Sequence, residues 1–149
     1  MTSVVATDKV ITVRGRGAFP GVAEGLALVG PKTVPGWDAF DINTGAVLEP
    51  GNPLFGQSIK GKVLILNGSR GSTGFGTQFL KVRVAGVGPI ALVFPRVDSR
   101  IGAACVVAKV PAVTDLEEDI FKLVRSGDWV CVDGDQGLVH IRRSPVALK

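Results

Sequence analysis

The stretch KVLILNGSRGSTGFG, residues 62–76, joins an apolar run to a loop of glycine and small hydroxyl residues. The run Lys62–Leu66 is typical of a strand that is buried on both faces. Apolar side chains then recur at helical spacing, at Phe75, Phe79, Val82 and Val84. Gly86 ends this pattern, and Pro89–Phe94 resumes as a second buried strand. The order strand, loop, helix, strand predicts a parallel, right-handed β-α-β crossover.

The chain before this unit reads as short strands separated by glycine and proline. We expect strands at Val10–Arg14 and Val22–Val29, where β-like apolar residues are bounded by turn residues. The Gly/Pro-rich stretch Gly30–Gly61 is predicted to be loops with short strands at best.

The chain after this unit is predicted to alternate helix and strand and then to close with a hairpin. Asp98–Ala108 is predicted as a helix, and Lys109–Val113 as a short strand. Asp115–Val124 is predicted as a helix, since its acidic start suits the positive end of a helix dipole. Trp129–Val132 and Leu138–Arg142 form the hairpin. The pattern is mixed α/β, with parallel strands in the middle and antiparallel strands at the ends.

The length of 149 residues, with 46% hydrophobic residues, indicates one globular domain over residues 1–149. Residues 1–9 are predicted to be a flexible N-terminal extension. The N-terminus lacks the pattern of a signal peptide, and no window approaches the length of a membrane span. We therefore expect a cytoplasmic protein that is not bound to a membrane.

The charged residues and the cysteines exclude two classes of site. The 17 basic and 13 acidic residues give a net charge of +4, and they are spread singly. There is no basic run, no Tyr and only nine aromatic residues in all, so the stacking platform and basic stripe of a nucleic-acid binder are missing. We therefore expect no nucleic acid and favour an anionic small substrate. Cys105, Cys131 and a single His, without CxxC or HxxxH spacing, cannot supply the usual three or four ligands of a zinc or iron–sulfur centre. Any such metal must belong to a partner.

The loop Asn67–Gly76 is the candidate site. A glycine-rich turn between the end of a strand and the start of a helix presents unpaired backbone N–H groups to an anion, and the helix dipole reinforces them. Arg70 adds a fork of donors for carboxylate or phosphate, and Ser72 and Thr73 add hydroxyl groups.

Nucleotide sites of the common kinds do not match this loop. No Lys follows Gly71 or Gly74, as the ATP-binding pattern GxxxxGK[ST] requires, and the spacing GSTGFG does not fit GxGxxG. A plainer interpretation stays open, in which Ser72 and Thr73 only cap the helix.

The sequence resembles the small subunit, or swivelling domain, of the aconitase X dehydratases. The resemblance spans about Arg14 to Ile141, and it rests on the order and spacing of several short segments. These segments are Gly15–Gly17, Gly21–Val29, Asp41–Gly45, Asn52–Ile65, Gly68–Thr73, Gly88-Pro89, Ser126–Asp128 and Val132–Gly134. The chain departs from the common pattern at Trp37–Phe40 and at Asn52.

The resemblance implies a three-layer swivelling β/β/α domain, with a central parallel sheet and antiparallel strands. It implies a hydro-lyase that works only in complex with a large subunit, which carries the iron or iron–sulfur cluster. No cofactor is expected on this chain. Ser72 resembles the serine that takes the proton from the substrate carbon, and Arg70, Gly71 and Thr73 are the expected residues for binding an anionic substrate.

The substrate and some minor residues keep alternative interpretations. The substrate could be cis-3-hydroxy-L-proline or a related hydroxy acid, or alternatively phosphomevalonate; the chain could also be a non-catalytic assembly module. Other polar and aromatic residues are read as follows: His140 as an exposed strand residue, Glu117, Glu118 and Asp119 as a solvated helix turn, Asp41 as a turn residue, Arg14 and Arg16 as solvated or substrate-facing, and Trp37 and Trp129 as contacts of the core or the partner.

Overall fold

Ten β-strands and two α-helices make up the described part of the chain. The computed structural model describes residues 9–70 and 74–143. The strands are β1 (Val10–Arg14), β2 (Arg16–Phe19), β3 (Val22–Gly30), β4 (Val34–Pro35), β5 (Val63–Leu66), β6 (Ser69–Arg70), β7 (Ala91–Val93), β8 (Ala112–Thr114), β9 (Trp129–Asp133) and β10 (Leu138–Arg142). The helices are α1 (Phe75–Ala85) and α2 (Ser99–Ala108). Of the predicted N-terminal extension, residues 1–8 lie outside the described residues.

Strand β3 belongs to two halves of one large sheet, whose strand order is β1-β10-β9-β3-β5-β7-β8-β2. Its first half pairs antiparallel with β9, from Val22 opposite Asp133 to Leu26 opposite Trp129. Its second half, Ala27–Gly30, pairs parallel with β5. One half of the sheet is therefore antiparallel (β1, β10, β9) and the other parallel (β5, β7, β8), with β2 antiparallel to β8 at the edge.

The parallel half lies between the antiparallel half and the helices. Alternate side chains of its strands enter two different cores, as the period of two in a strand requires. Leu64, Leu66 and Leu92 pack in the core that contains the helices. Val63 and Ile65 pack in the core that contains the inward side chains of β1, β9 and β10. The predicted three-layer β/β/α arrangement, including the parallel β5-α1-β7 crossover, is confirmed.

Helix α1 packs its aromatic side chains against the sheet. Phe75 and Phe79 are fully buried and meet edge to face, with ring centroids 5.2 Å apart. Gly86 ends the helix in the left-handed conformation, as predicted. Val84, which we expected on the same face, is 77% exposed. At about 100° per residue, nine positions place it opposite Phe75, so that expectation was wrong.

The predicted helix Asp115–Val124 does not form. Asp115 has a positive φ of 53°, which no α-helix allows. The next two N–H groups are bonded to distant segments, that of Leu116 to the Pro95 carbonyl at 3.1 Å and that of Glu117 to the Arg14 carbonyl at 2.8 Å. Only a single 3₁₀ turn forms, at Ile120–Lys122. Tertiary hydrogen bonds therefore override the local helix signal.

The strand predicted at Lys109–Val113 is displaced to β8. Lys109 takes the left-handed conformation as the C-cap of α2, so it cannot begin a strand. By contrast, the stretch Gly30–Gly61 contains only β4 and isolated bridges, as predicted.

The segment Ser126–Asp128 is hydrogen-bonded to β3 at the point where that strand changes its partner from β9 to β5. The Val29 N–H donates to Ser126 Oγ at 2.8 Å, and the Ala27 N–H donates to the Asp128 carbonyl at 2.8 Å. The Asp128 side chain is fully buried, and its carboxylate lies 3.4 Å from Nε of Arg143. This segment therefore supplies the hydrogen-bond acceptors that the β3 backbone needs where the strand passes from β9 to β5.

Two glycines allow β2 to approach the turn that follows β9. A Cβ on Gly17 would lie 2.0 Å from the Gly134 carbonyl oxygen, and one on Gly134 would lie 1.9 Å from the Phe19 carbonyl oxygen. Both obstructing atoms belong to the backbone, which cannot give way as the end of a flexible side chain can. These positions therefore require glycine for steric reasons.

We expect Gly17→Ala to lower the free energy of unfolding by about 1–3 kcal/mol, because the added methyl group overpacks against backbone. Gly102→Ala is the control, since its Cβ would meet the Val97 side chain at an ordinary 3.8 Å within α2. Alanine there should be neutral or add up to about 1 kcal/mol. Urea unfolding of both variants measures the difference; equal midpoints would contradict the steric argument.

Candidate functional site

The predicted site loop begins at the carboxyl end of β5, beside the carboxyl end of β3. Ligands of open α/β sheets bind at this edge of the parallel strands. The structure describes the loop from Asn67 to Arg70. Gly71, Ser72 and Thr73, the other three predicted site residues, lie outside the described residues.

The first part of the loop is fixed to the chain that follows β3. The Asn67 N–H donates to the Gly30 carbonyl at 3.2 Å, and Asn67 Nδ2 donates to the Pro31 carbonyl at 3.0 Å. Strand β6 then pairs parallel with β4, which sets Arg70 opposite Pro35. The backbone of Arg70 is therefore held on one side by secondary structure.

Helix α1 begins directly after the loop, with Gly74 at its N-cap position. Its first turn contains no acidic side chain, so the positive end of the helix dipole is not neutralised from within α1. Glycine has no side chain with which to cap the helix. The alternative in which Ser72 or Thr73 is the cap concerns residues outside those described.

The Arg70 guanidinium is paired with a carboxylate that the sequence analysis did not identify. Arg70 Nη2 donates to Glu49 Oε2 in a short ion pair. The hydrogen bonds from Arg70 and then from Asn52 hold the pKa of Glu49 below its ordinary value, so its carboxylate is ionised at neutral pH. The Arg70 side chain stays 51% exposed. It can meet solvent or a ligand while it contacts Glu49.

Asn52 links Glu49 to the surrounding backbone. Its Nδ2 donates to Glu49 Oε1 at 3.0 Å and lies 3.4 Å from the Thr33 carbonyl, while its Oδ1 accepts the Leu54 N–H at 3.0 Å. The side chain of Asn52 is only 9% exposed. A half-buried carboxylate is thus held by a nearly buried amide. No periodic pattern marks either residue in the sequence, because both lie in the Gly/Pro-rich stretch.

A cleft of about 540 Å³ opens beside this pair. It runs between the chain that follows β3 and the segment that contains Glu49, and Arg70 lies along one wall. Its lining includes the cations Lys32 and Arg70, one carboxylate and two amide side chains. The lining residues are Pro31, Lys32, Thr33, Glu49, Pro50, Gly51, Asn52, Asn67 and Arg70. A cleft of this composition suits a small polar anion.

A second loop is tied to α1 close to the site loop. The buried Gln78 side chain accepts the Ala39 N–H at 3.2 Å and donates to the Gly36 carbonyl at 3.1 Å. Trp37 between them is 68% exposed, so it does not pack in the core. Trp129 is also exposed, and its Nε1 donates to a Glu24 oxygen at 2.6 Å. The predicted contact of the tryptophans with a partner stays a prediction.

Two other polar candidates lie on a strand and in a turn, as we expected, although His140 is half-buried rather than exposed. His140 lies on β10, where its Nδ1 is 2.9 Å from Thr12 Oγ1 on the neighbouring strand. Asp41 accepts the Asn43 N–H at 2.7 Å and so closes a turn. Neither side chain lines the cleft.

The acidic segment Glu117–Asp119 is exposed, as expected, although it is not part of a helix. Asp119 caps the 3₁₀ turn. Arg14 and Arg16 are exposed as well. Within residues 9–70 and 74–143, no three His, Cys, Asp or Glu side chains are grouped so that they could hold a metal ion.

The two cysteines are free thiols in different layers. Cys105 on α2 is buried in the core beneath the helices, and burial raises the pKa of its thiol to about 12. Cys131 lies between Val130 and Val132 of β9, whose side chains point into the core, so the Cys131 side chain points to the outer face of the sheet. The two sulfurs cannot share an iron atom.

Among the described residues, no helix combines the length and the apolar character that a membrane span needs. The fold and the site define a three-layer β/β/α domain with a glycine-rich loop beside a polar cleft. Residues 12–141 match the family model of the aconitase X swivel domain. The chain belongs to this family.

Known relatives resemble the chain over nearly its full length. The phosphomevalonate dehydratase small subunit of Methanocella arvoryzae is 30% identical over 87% of this chain and 98% of its own length. That of Pyrococcus furiosus is 34% identical over 87% of this chain and 94% of its own. The crystal structure of holo aconitase X from Thermococcus kodakaraensis has a TM-score of 0.81 and 26% identity, and the match covers 88% of this chain and 98% of that one. A dehydratase of this kind is a hydro-lyase.

We expect Cys105 to resist thiol reagents in the folded chain, because its thiol is buried and protonated. In a Cys131→Ser variant, the single remaining thiol should react with Ellman's reagent at least about tenfold more slowly in native buffer than in denaturant. Wild-type protein, in which the partly exposed Cys131 is also present, is the control. Rapid native labelling of the variant would show that the α2 core is not packed as described.

Proposed function

We propose that this chain is the small subunit of a phosphomevalonate dehydratase, with Ser72 as the base and Arg70, Gly71 and Thr73 as ligands of the anionic substrate. The observation that carries the proposal is the family match over residues 12–141, which includes the loop that leads from Arg70 to α1. The relatives described above carry the name of that enzyme. The comparisons give no support to cis-3-hydroxy-L-proline, which the sequence analysis placed first, and they favour its alternative.

The chemistry of phosphomevalonate agrees with the cleft. The molecule carries a carboxylate and a phosphate, and the lining offers Arg70, Lys32 and neutral amide donors. Arg70 suits a planar carboxylate or a phosphate because it presents two parallel N–H donors. We therefore propose that one anionic group of the substrate lies against Arg70.

Dehydration requires that a proton leave one carbon while hydroxide leaves the neighbouring carbon. Ser72 is proposed to take that proton onto its oxygen, and the electron pair of the broken C–H bond forms the new double bond. A serine hydroxyl is a weak base, so its ionised form needs stabilisation. The positive end of α1, which has no acidic side chain in its first turn, and the nearby Arg70 would supply it.

The assignment divides the work between two subunits. The described residues contain no ligand set for iron, and we place an iron or iron–sulfur centre on the large subunit, where its Lewis acidity would help the hydroxyl to leave. The steps that remain for this chain are proton abstraction and anion binding. We also propose a cytoplasmic location, which the two free cysteines support.

The test is reconstitution of this chain with the aconitase X large subunit of the same organism, without oxygen, followed by assays with phosphomevalonate and cis-3-hydroxy-L-proline in parallel. We expect turnover of phosphomevalonate by the pair and by neither subunit alone. Turnover of the proline alone would overturn the substrate. A stable complex that is inactive on both and remains inactive on other hydroxy acids would favour the assembly module.

Ser72→Ala should reduce the turnover of the complex by about 10²–10⁴, the range for a lost general base, with an unchanged melting temperature. Ser99→Ala, at the exposed start of α2, is the control and should leave turnover unchanged. If Ser72 only caps a helix, the variant should instead lose about 1 kcal/mol of stability and keep its turnover.

Arg70→Ala should raise KM by about 10–100-fold with a smaller effect on kcat, because a charged hydrogen bond to the substrate is lost in ground and transition states alike. Steady-state kinetics of the complex measures both constants. A fall in kcat with KM unchanged would show instead that Arg70 acts only on the transition state.

A further inference from the structure

The fixed backbone of Arg70 does not by itself fix the position of its guanidinium group. Arginine has several rotatable bonds, and a half-exposed side chain at the wall of a cleft would sample many rotamers. Binding an anion would then cost the entropy of ordering it. A contact that orders the guanidinium before the substrate arrives lowers this cost.

Glu49 makes such a contact. Its Oε2 accepts from Arg70 Nη2, one of three guanidinium nitrogens that together carry five N–H donors. The other carboxylate oxygen accepts from Asn52. Glu49 thus bridges the cationic side chain and the nearly buried amide.

Several hydrogen bonds fix the position of Asn52, and Asn52 in turn holds Glu49. The Asn52 N–H donates to the Glu49 carbonyl at 3.2 Å, its carbonyl accepts the Phe55 N–H at 2.9 Å, and its side chain binds the Leu54 N–H. Release of Glu49 from Arg70 would leave a carboxylate that is still held by Asn52. A substrate anion would therefore bind the remaining N–H donors of Arg70 while Glu49 stays in place.

We infer that Glu49 and Asn52 are positioning residues, which hold the Arg70 guanidinium at the cleft so that its remaining N–H donors face the anionic group of the substrate. The inference rests on the proposed function in one respect, that Arg70 binds substrate. Glu49 contacts Arg70 and Asn52 contacts Glu49, so both act through the guanidinium.

Kinetics of the reconstituted complex gives the first test. Glu49→Ala and Asn52→Ala should each raise KM for phosphomevalonate about tenfold, with kcat within about twofold. Glu49→Gln, which keeps an oxygen acceptor for Arg70, should lie between wild type and Glu49→Ala. Glu118→Ala, which removes an exposed carboxylate from the segment that precedes the 3₁₀ turn, is the charge-matched control and should leave both constants unchanged.

A double-mutant cycle identifies the route of the effect. In an Arg70→Ala background, Glu49→Ala should raise KM no further, because the group that it positions is gone. If Glu49 were instead a competitor for the substrate site, Glu49→Ala would lower KM. A tenfold effect that persists without Arg70 would mean that the residue only shapes the loop. Either result overturns the inference.

The second test does not depend on activity. In the full chain alone, nitrogen NMR of arginine side chains reports rotation about the Nε–Cζ bond. We expect slow rotation for Arg70 in wild type and in Glu118→Ala, and fast rotation in Glu49→Ala and Asn52→Ala. Unchanged rotation in the two variants refutes the positioning role. Failure of the proposed function appears separately, as a wild-type complex that does not dehydrate phosphomevalonate.

Discussion

The change of partner along β3 is the constraint on which the arrangement depends. One strand pairs antiparallel with β9 up to Leu26 and parallel with β5 from Ala27, so its backbone must form hydrogen bonds with both halves of the sheet. A backbone at such a junction would leave buried N–H and carbonyl groups unpaired. The Ser126–Asp128 segment supplies hydrogen-bond acceptors for two of these groups, the N–H groups of Ala27 and Val29. This physical role accounts for one of the short segments that carried the family resemblance.

The position of the site follows from this junction. Because β3 and β5 run parallel, their carboxyl ends emerge side by side, and Gly30 accepts the Asn67 N–H directly beyond them. The chain after β3 and the chain after β5 therefore both line the cleft, the second through Asn67 and Arg70. If the two strands were antiparallel, those segments would lie at opposite ends of the sheet. The parallel pairing is therefore what brings the two loops together.

The parts of the fold that the sequence predicted are those with local, periodic signals. Val63–Phe94 carries buried runs and a helical repeat, and the terminal hairpin alternates about a turn of Gly and Asp. The helix prediction for Asp115–Val124 was wrong because hydrogen bonds to distant residues, Pro95 and Arg14, determine the backbone conformation of this segment. In the site, Arg70 could be predicted because it lies in a glycine-rich loop between a strand and a helix. Glu49 lies 21 positions away in a stretch without periodicity, so only the three-dimensional structure could identify it.

That stretch, Gly30–Gly61, is nevertheless as firmly placed as a regular element. Its apolar side chains Phe40, Val47, Leu54 and Ile59 are all buried in the core beneath the helices. Backbone bonds tie it together as well, such as that from the Val47 N–H to the Gln57 carbonyl at 2.9 Å. Each of these buried apolar side chains contributes about 1.5–3 kcal/mol relative to an exposed one, so together they favour the folded position of the loop. A segment with almost no strand can thus hold a carboxylate at a defined place and, through it, a cation that faces an anion.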